Sequence, residues 1–216
     1  MIFPSFFKES EIKKSLSHKE PWNKGKLIGQ RPPLRKEDIW TIRTRLKLNN
    51  RTRDIAMFNL AIDSKLRACD LVSILVKDVY NGREILKRSK VMQKKTTSPV
   101  QFEITPKTRK SLLDWILKKK LSTNNYLFPS SIKAGYPITT RQYSRIVKGW
   151  VVLAGLDPKI YATHTMRRTK ATLIYKQNKN LRAVQILLGH KKIESTVRYL
   201  GVEIDDALTM AEEIEV

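Results

Sequence analysis

Cysteine is nearly absent from this chain of 216 residues, where Cys69 stands alone. A single thiol excludes an internal disulfide framework and a cysteine-based zinc site, and it suits a reducing cytoplasm. Beside Ala68 on an apolar run, Cys69 is expected to fill core. No stretch approaches the roughly 20 apolar residues that a membrane span requires. The opening residues, MIFPSFFKE, lack a basic leader and carry too short an apolar run for a signal peptide. There is no internal repeat, and the carboxylates form no cluster of the kind that holds Mg²⁺. Histidine is scarce, with three in the chain. Acids are outnumbered: 20 Asp and Glu stand against 43 Lys and Arg, for a net charge of +23 and a pI near 10.2. An excess of this size points to a polyanionic partner, nucleic acid first. The imbalance is uneven, since the segment after Tyr199 holds six acids and no Lys or Arg.

What the chain does have is concentrated between His164 and Tyr199, in HTMRRTKATLIYKQNKNLRAVQILLGHKKIESTVRY, where two of the three histidines fall. His164 and Arg167 are three apart, so one helical turn sets them on a common face. Asn180 is a suitable N-cap for a helix over 181–188, with Leu181, Val184, Leu187 and Leu188 as its apolar stripe. Gly189 stands where a helix usually stops in a left-handed residue. His190 follows at once, so the turn aims its ring. Tyr199 lies in a short segment, 195–200, that Ser195 is expected to cap. Arginine and protonated histidine are donors suited to a phosphate, arginine bidentately. A tyrosine held beside them can give up its phenolic proton and attack phosphorus. Each piece alone has a bland reading: Gly-His as a cap, Arg-Arg as a solvated face, the tyrosine as packing. Their joint order and spacing carry the signal.

His-x-x-Arg-Arg-Thr, then Leu-Leu-Gly-His, then a tyrosine nine residues on, resembles the C-terminal motif of the tyrosine recombinases, or phage-type integrases. These are DNA-cutting and rejoining enzymes related in mechanism to type IB topoisomerases. The resemblance covers about residues 34–216. It implies a catalytic domain over 34–201, a basic N-terminal arm or linker over 1–33, and an acidic C-terminal helix over 202–216 exchanged between protomers. Many family members carry a separate helical DNA-clamping domain ahead of the catalytic one, far longer than 33 residues. The chain therefore reads as a catalytic-domain-only member, like the fimbrial phase-switching invertases, or as a fragment.

The activity so implied is site-specific recombination through a 3′-phosphotyrosyl intermediate, with no cofactor and no metal. The partners implied are double-stranded DNA and further copies of the chain, a tetramer on DNA, with no membrane and a cytoplasmic, nucleoid-associated location. Two alternatives stay open: a DNA-binding regulator or accessory protein with this fold but no turnover, and a basic structural nucleic-acid protein. Residue by residue, the resemblance makes Tyr199 the nucleophile, Arg67 and Arg167 the clamp on the phosphate, and His190 a further donor. His164 helps to take the phenolic proton. Lys95, in a turn before Thr96-Thr97, is the general acid for the departing 5′-oxygen, with Lys94 a close rival. Arg67, wedged between apolar residues, has a structural alternative as an ion pair with Asp70. Arg168 is expected to be structural, bonded to a carboxylate such as Asp70 or to backbone.

The expected fold is mainly α with a small antiparallel β-sheet (α+β). Apolar spacing predicts helices over 35–49 and 53–62 and a short one beginning near Leu66. Strands over 76–80, 85–93 and 100–104 are expected to form the sheet, with a tight hairpin at Asn81-Gly82. Thr105 and Pro106 read as N-cap and first residue of a helix to about 120, and 126–129 is a short extended piece. Thr139 or Thr140 opens the best amphipathic helix, which buries Tyr143, Val147 and Trp150 and stops at Gly155. Its opposite face, with Arg141, Arg145 and Lys148, either touches DNA phosphate or is solvated.

Overall fold

Trp150 sits at the centre of the main core and shows why the helices pack as they do. The computed structural model describes residues 31–200 together with Leu208 and Glu212. Within it the indole of Trp150 meets Phe58 edge-on, with ring centres 5.3 Å apart, and Tyr143 at 6.1 Å. Its Nε1 donates to the buried carboxylate of Asp54 at 3.4 Å. Edge-to-face pairs of this kind add to the area they bury, and the indole N–H needs a partner once it leaves water. Two of these residues, Asp54 and Phe58, come from α2 (Thr52–Ser64) and two, Tyr143 and Trp150, from α5 (Thr140–Leu153), which places those helices against each other. Helix α5 starts where expected: Thr139 Oγ1 accepts the Gln142 N–H at 3.0 Å. It ends before Gly155, whose φ of +73° an L side chain rarely adopts.

Around this pair lie α1 (Lys36–Leu48), α3 (Ala68–Val72) and α4 (Pro106–Lys119), followed further along by α6 (Thr163–Asn178), α7 (Leu181–Leu188) and α8 (Ile193–Leu200). The architecture is mainly α with a small antiparallel sheet, as expected. That sheet has two strands, β1 (Arg88–Met92) and β2 (Pro99–Glu103), paired in the register Lys90 to Gln101. The third strand expected over 76–80 is instead a single 3₁₀ turn, Val76–Asp78. Asp78 Oδ2 accepts the Leu75 N–H at 2.8 Å and curls the chain. The N–H groups of Val76 and Lys77 go to the carbonyls of Asn125 and Thr123, at 2.9 and 3.0 Å, so they are not offered to a neighbouring strand. The Asn81-Gly82 turn does reverse the chain, since Asn81 Oδ1 accepts the N–H groups of Arg83 and Glu84 and an isolated bridge joins Tyr80 to Ile85.

Three local expectations also change. Thr105 and Pro106 are the N-cap and first residue of α4 as expected, but the Thr105 hydroxyl donates to Asp63 at 2.7 Å instead of accepting from the helix. Ser195 lies inside α8, which begins two residues earlier at Ile193. Cys69 is partly exposed and points its sulfur toward Asp70, so it is not core filler. Among the described residues no helix is long and apolar enough to cross a membrane. The arm expected over 1–33 lies outside the described residues except for 31–33, and the C-terminal helix expected over 202–216 lies outside them except for Leu208 and Glu212.

Helix α6 differs from its neighbours in what it buries. Thr165, Arg167, Arg168, Thr169 and Thr172 are all buried, so its inner face is polar. Thr169 Oγ1 donates to the Thr165 carbonyl at 2.7 Å and accepts the Leu34 N–H at 3.0 Å, which ties the start of the described chain to this helix. A second small core of Ala171, Val184 and Leu188, with Tyr175, Tyr199 and Leu200 against it, holds α7 and α8 on this helix. The expected stripe on α7 holds at Val184 and Leu188.

Candidate active site

Helix ends and one turn bring the expected residues together. Arg67 is the residue that precedes α3, Arg167 lies in the second turn of α6, His190 follows the Gly189 stop of α7, and Tyr199 is near the end of α8. The α7 stop is local chemistry. Asn180 Oδ1 accepts the Ala183 N–H at 2.9 Å to start the helix, and Gly189 closes it at φ +64°. A Cβ on Gly189 would also overlap the Val100 side chain and crowd Gln93, so glycine is required there twice over.

The two guanidiniums are joined through a glutamine and a carbonyl. Arg67 Nη1 donates to Gln93 Oε1 at 2.6 Å, and Gln93 Nε2 reaches the Leu188 carbonyl at 3.4 Å. Arg167 Nη2 donates to the same carbonyl at 2.7 Å, and its Nη1 to the Lys65 carbonyl at 2.7 Å. Fork geometry of this kind fixes the plane of the guanidinium. The expected alternative for Arg67, an ion pair with Asp70, is not what holds it. Asp70 Oδ1 instead accepts the Lys94 N–H at 2.9 Å and anchors the turn that carries Lys94 and Lys95. Its Oδ2 is buried without a hydrogen-bond partner among the described residues.

His190 is fixed at both ring nitrogens, with Nδ1 3.1 Å from Thr196 Oγ1 and Nε2 3.4 Å from Arg167 Nη2. Since Arg167 can only donate, Nε2 is the acceptor and Nδ1 carries the proton. Burial, then the charges of Arg167 and Arg67, push the His190 pKa down to about 4. His164 stands exposed in the first turn of α6, and its pKa is also lowered, by burial of part of its ring and then by Arg167, Arg168, Arg67 and Lys95. Lys95 is exposed on its turn.

The Tyr199 ring packs edge-on against His190, centres 5.4 Å apart, and both guanidiniums of the Arg167-Arg168 pair lie over it, at 5.9 and 4.8 Å. Its hydroxyl is buried beside the Arg167 and Arg168 guanidiniums, both of which act on it electrostatically. Burial raises the phenol pKa, while Arg167 and Arg168 act in the opposite sense. Arg168 donates to the Arg31 carbonyl at 2.8 Å, which bears out a backbone partner, but its position over the phenol ring went unforeseen. The sequence reading also missed Gln93, which is 0% exposed. It missed the charged set of buried Asp63 and Lys65 with half-buried Glu103 and Lys170 behind the site as well.

The arrangement can hold an oxyanion between Arg67 and Arg167, with His190 at its side and a phenol oxygen in the same nest. Residues 33–204 match the phage integrase family. A probable integrase/recombinase, YoeC, of Bacillus subtilis is 29% identical over 158 residues, 73% of this chain and 82% of its own length. The tyrosine recombinase XerD of Rickettsia bellii is 30% identical over 158 residues, 68% of this chain, and the chain spans 51% of that relative. Among solved structures, the XerA recombinase superposes with a TM-score of 0.68 at 19% identity, over 85% of this chain and 64% of the other. The XerH recombinase in a post-cleavage complex with its difH substrate gives 0.66, also at 19% identity, over 86% and 54%. The family match covers the helices, the strands and the guanidinium nest alike: this chain belongs to the phage integrase family, that of the tyrosine recombinases.

Proposed function

We propose that this protein is a site-specific DNA recombinase that cuts and rejoins strands through Tyr199. One observation carries the reading: a buried phenol oxygen lies beside the Arg167 and Arg168 guanidiniums, in a nest where Asp70 is the nearby carboxylate. Such a nest is short of one anion, and a DNA phosphodiester supplies it. Family membership and fold support recombination in general, and the XerH and Tn1549 integrase structures that resemble this chain contain DNA.

In the proposed reaction the scissile phosphate lies between Arg67 and Arg167. Their fixed donors stabilise the negative charge that accumulates on the non-bridging oxygens as phosphorus becomes five-coordinate. The Tyr199 oxygen forms the new bond to phosphorus, and the bond from phosphorus to the 5′-oxygen breaks. The phenolic proton needs an acceptor. Both histidines are neutral near pH 7 because their pKa values are lowered, and His190 has the ring contact with the phenol. His190 therefore takes the proton and, once charged, donates to the phosphate, while His164 assists from the rim. Lys95 gives a proton to the departing 5′-oxygen. It is favoured over Lys94 because its charge reaches the His164 ring, whereas the Lys94 backbone is tied to Asp70. The phosphotyrosyl ester keeps the bond energy, so a second 5′-hydroxyl reverses the step.

A binding protein without turnover requires no nucleophile, which is why the regulator reading ranks second. The proposal also takes the working form to be several copies on duplex DNA. The test is incubation with nicked or gapped duplexes drawn from the DNA on either side of the gene. An SDS-stable protein–DNA adduct, absent in Tyr199→Phe, supports the proposal, and DNA binding with no adduct in the wild type favours the regulator.

A further inference from the structure

Lys65 is buried to 0% exposure, yet it carries a charge and sits in the left-handed conformation at φ +54°. Two other helices end on a left-handed lysine, Lys120 and Lys179, and both of those side chains are exposed. At Lys65 the ammonium turns inward. It donates to both Glu103 oxygens at 2.9 and 3.0 Å and to the Asp63 carbonyl. Glu103, the last residue of β2, also pairs with Lys170 of α6 at 2.6 Å. Lys170 reaches Asp63 at 2.7 Å, and Asp63 Oδ2 takes the hydroxyls of Thr105 and Thr108. Two lysines and two carboxylates thus balance, with almost every polar atom bonded. That is the condition under which buried charge is tolerated.

None of these four side chains is among the residues assigned to the phosphate, but their backbone is in contact with those that are. The Lys65 carbonyl accepts Arg167 Nη1 at 2.7 Å. Two residues on, Arg67 leaves the same turn toward Gln93. The left-handed turn at Lys65 is what directs that carbonyl at α6 and starts the chain toward Arg67. We infer that Lys65 is a positioning residue for both guanidiniums: its left-handed turn lets the backbone hold Arg167 and launch Arg67, and the Glu103 pin is what keeps a residue with a side chain in that turn. This rests on the proposed strand-cleavage reaction and extends it to a buried charge network that does not touch the DNA.

Two substitutions separate positioning from simple stability. Lys65→Met keeps the buried volume but not the tether, and leaves a side chain that disfavours positive φ. Lys65→Gly opens a cavity but adopts positive φ freely. In both, Glu103 keeps Lys170. The full-length protein is compared by Tm, by affinity for the nicked duplex described above, and by single-turnover adduct formation. Lys65→Gly is expected to lower Tm further than Lys65→Met yet cleave faster. Adduct formation should fall roughly tenfold or more in Lys65→Met and stay within about threefold of wild type in Lys65→Gly, at unchanged affinity. A purely structural role gives the opposite order, with cleavage following Tm, and overturns the inference, as does wild-type cleavage in Lys65→Met. The Arg167 Nη–H resonances, assigned through Arg167→Lys, supply a readout free of DNA. They should persist in Lys65→Gly and exchange rapidly in Lys65→Met. If the wild type forms no adduct, the recombinase reading fails, and these resonances alone judge Lys65: persistence in both variants, or loss in both, overturns the inference.

Discussion

The guanidinium of Arg168 lies 4.8 Å from the centre of the Tyr199 ring, closer than that of its neighbour Arg167 at 5.9 Å. Successive residues on a helix point about 100° apart, so one arginine faces the site's carbonyls while the other covers the phenol from the side. Arg168 is also bonded to the Arg31 carbonyl. The second arginine of the motif therefore fixes the ring that the first is meant to serve.

Replacing it tests that division. Arg168→Met removes a cation–π contact worth about 0.5–2 kcal/mol together with a charge-assisted hydrogen bond. Adduct formation should drop roughly tenfold while DNA affinity changes by less than about threefold, because a misplaced nucleophile slows chemistry more than binding. Measured single-turnover rates equal to wild type would return Arg168 to a scaffold role.

Lys95 is tested through the leaving group. With a bridging 5′-sulfur in place of oxygen, the departing atom no longer needs a proton. Lys95→Ala should then cleave the sulfur-bridged duplex at close to the wild-type rate while losing roughly 10²-fold or more on the normal one. Rescue in Lys94→Ala and not in Lys95→Ala would move the role one residue back.

His190 makes the site sensitive to acid. Its folded pKa of about 4 lies below the ordinary 6.5, so as pH falls through this window the unfolded chain takes up a proton that the native chain refuses. Stability from this group is therefore complete above pH 6.5 and declines toward pH 4. The loss is up to about 2 kcal/mol after allowance for solvent screening of a half-buried ring. His190→Asn should flatten that part of the pH profile in chemical denaturation. Binding a phosphate should move the titration the other way. The His190 Cε1–H signal should titrate near 4 in the free protein and at higher pH with DNA bound, and an unchanged midpoint would separate this ring from the phosphate.

Gly189→Ala probes the helix stop before His190. The methyl group meets the Val100 side chain and the backbone is already at φ +64°, so strain and overlap act together. A destabilisation of about 2–4 kcal/mol is expected by denaturant titration. A loss under about 0.5 kcal/mol would mean that β2 yields to the added atom.

What the amino-acid pattern disclosed was local in origin. Helix α7 could be bounded at both ends because Asn180 and Gly189 act on their own backbone. Helix α5 was legible because its apolar residues repeat at helical spacing and bury on one face. The strand expected over 76–80 failed because the partners of Val76 and Lys77, at Asn125 and Thr123, lie beyond three intervening elements, β1, β2 and α4. Tyr199, His190 and Arg167 were found by their order along the chain, and they do meet in space, while His164 stands exposed near their charges. Gln93 and the Lys65–Glu103 pair were not found, since a glutamine in a turn and a charge at a helix end carry no periodic mark. Only the closing of α2, β2 and α6 on one another gives them their partners.

The central claim is that one phenol oxygen becomes bonded to DNA phosphorus. Digesting the trapped adduct with nuclease and trypsin, then sequencing its peptides by mass spectrometry, tests this most directly. A nucleotide joined through a 3′-phosphate to the peptide at Tyr199, and lost in Tyr199→Phe, is the predicted result; a nucleotide on any other residue, or no modified peptide at all, contradicts the account.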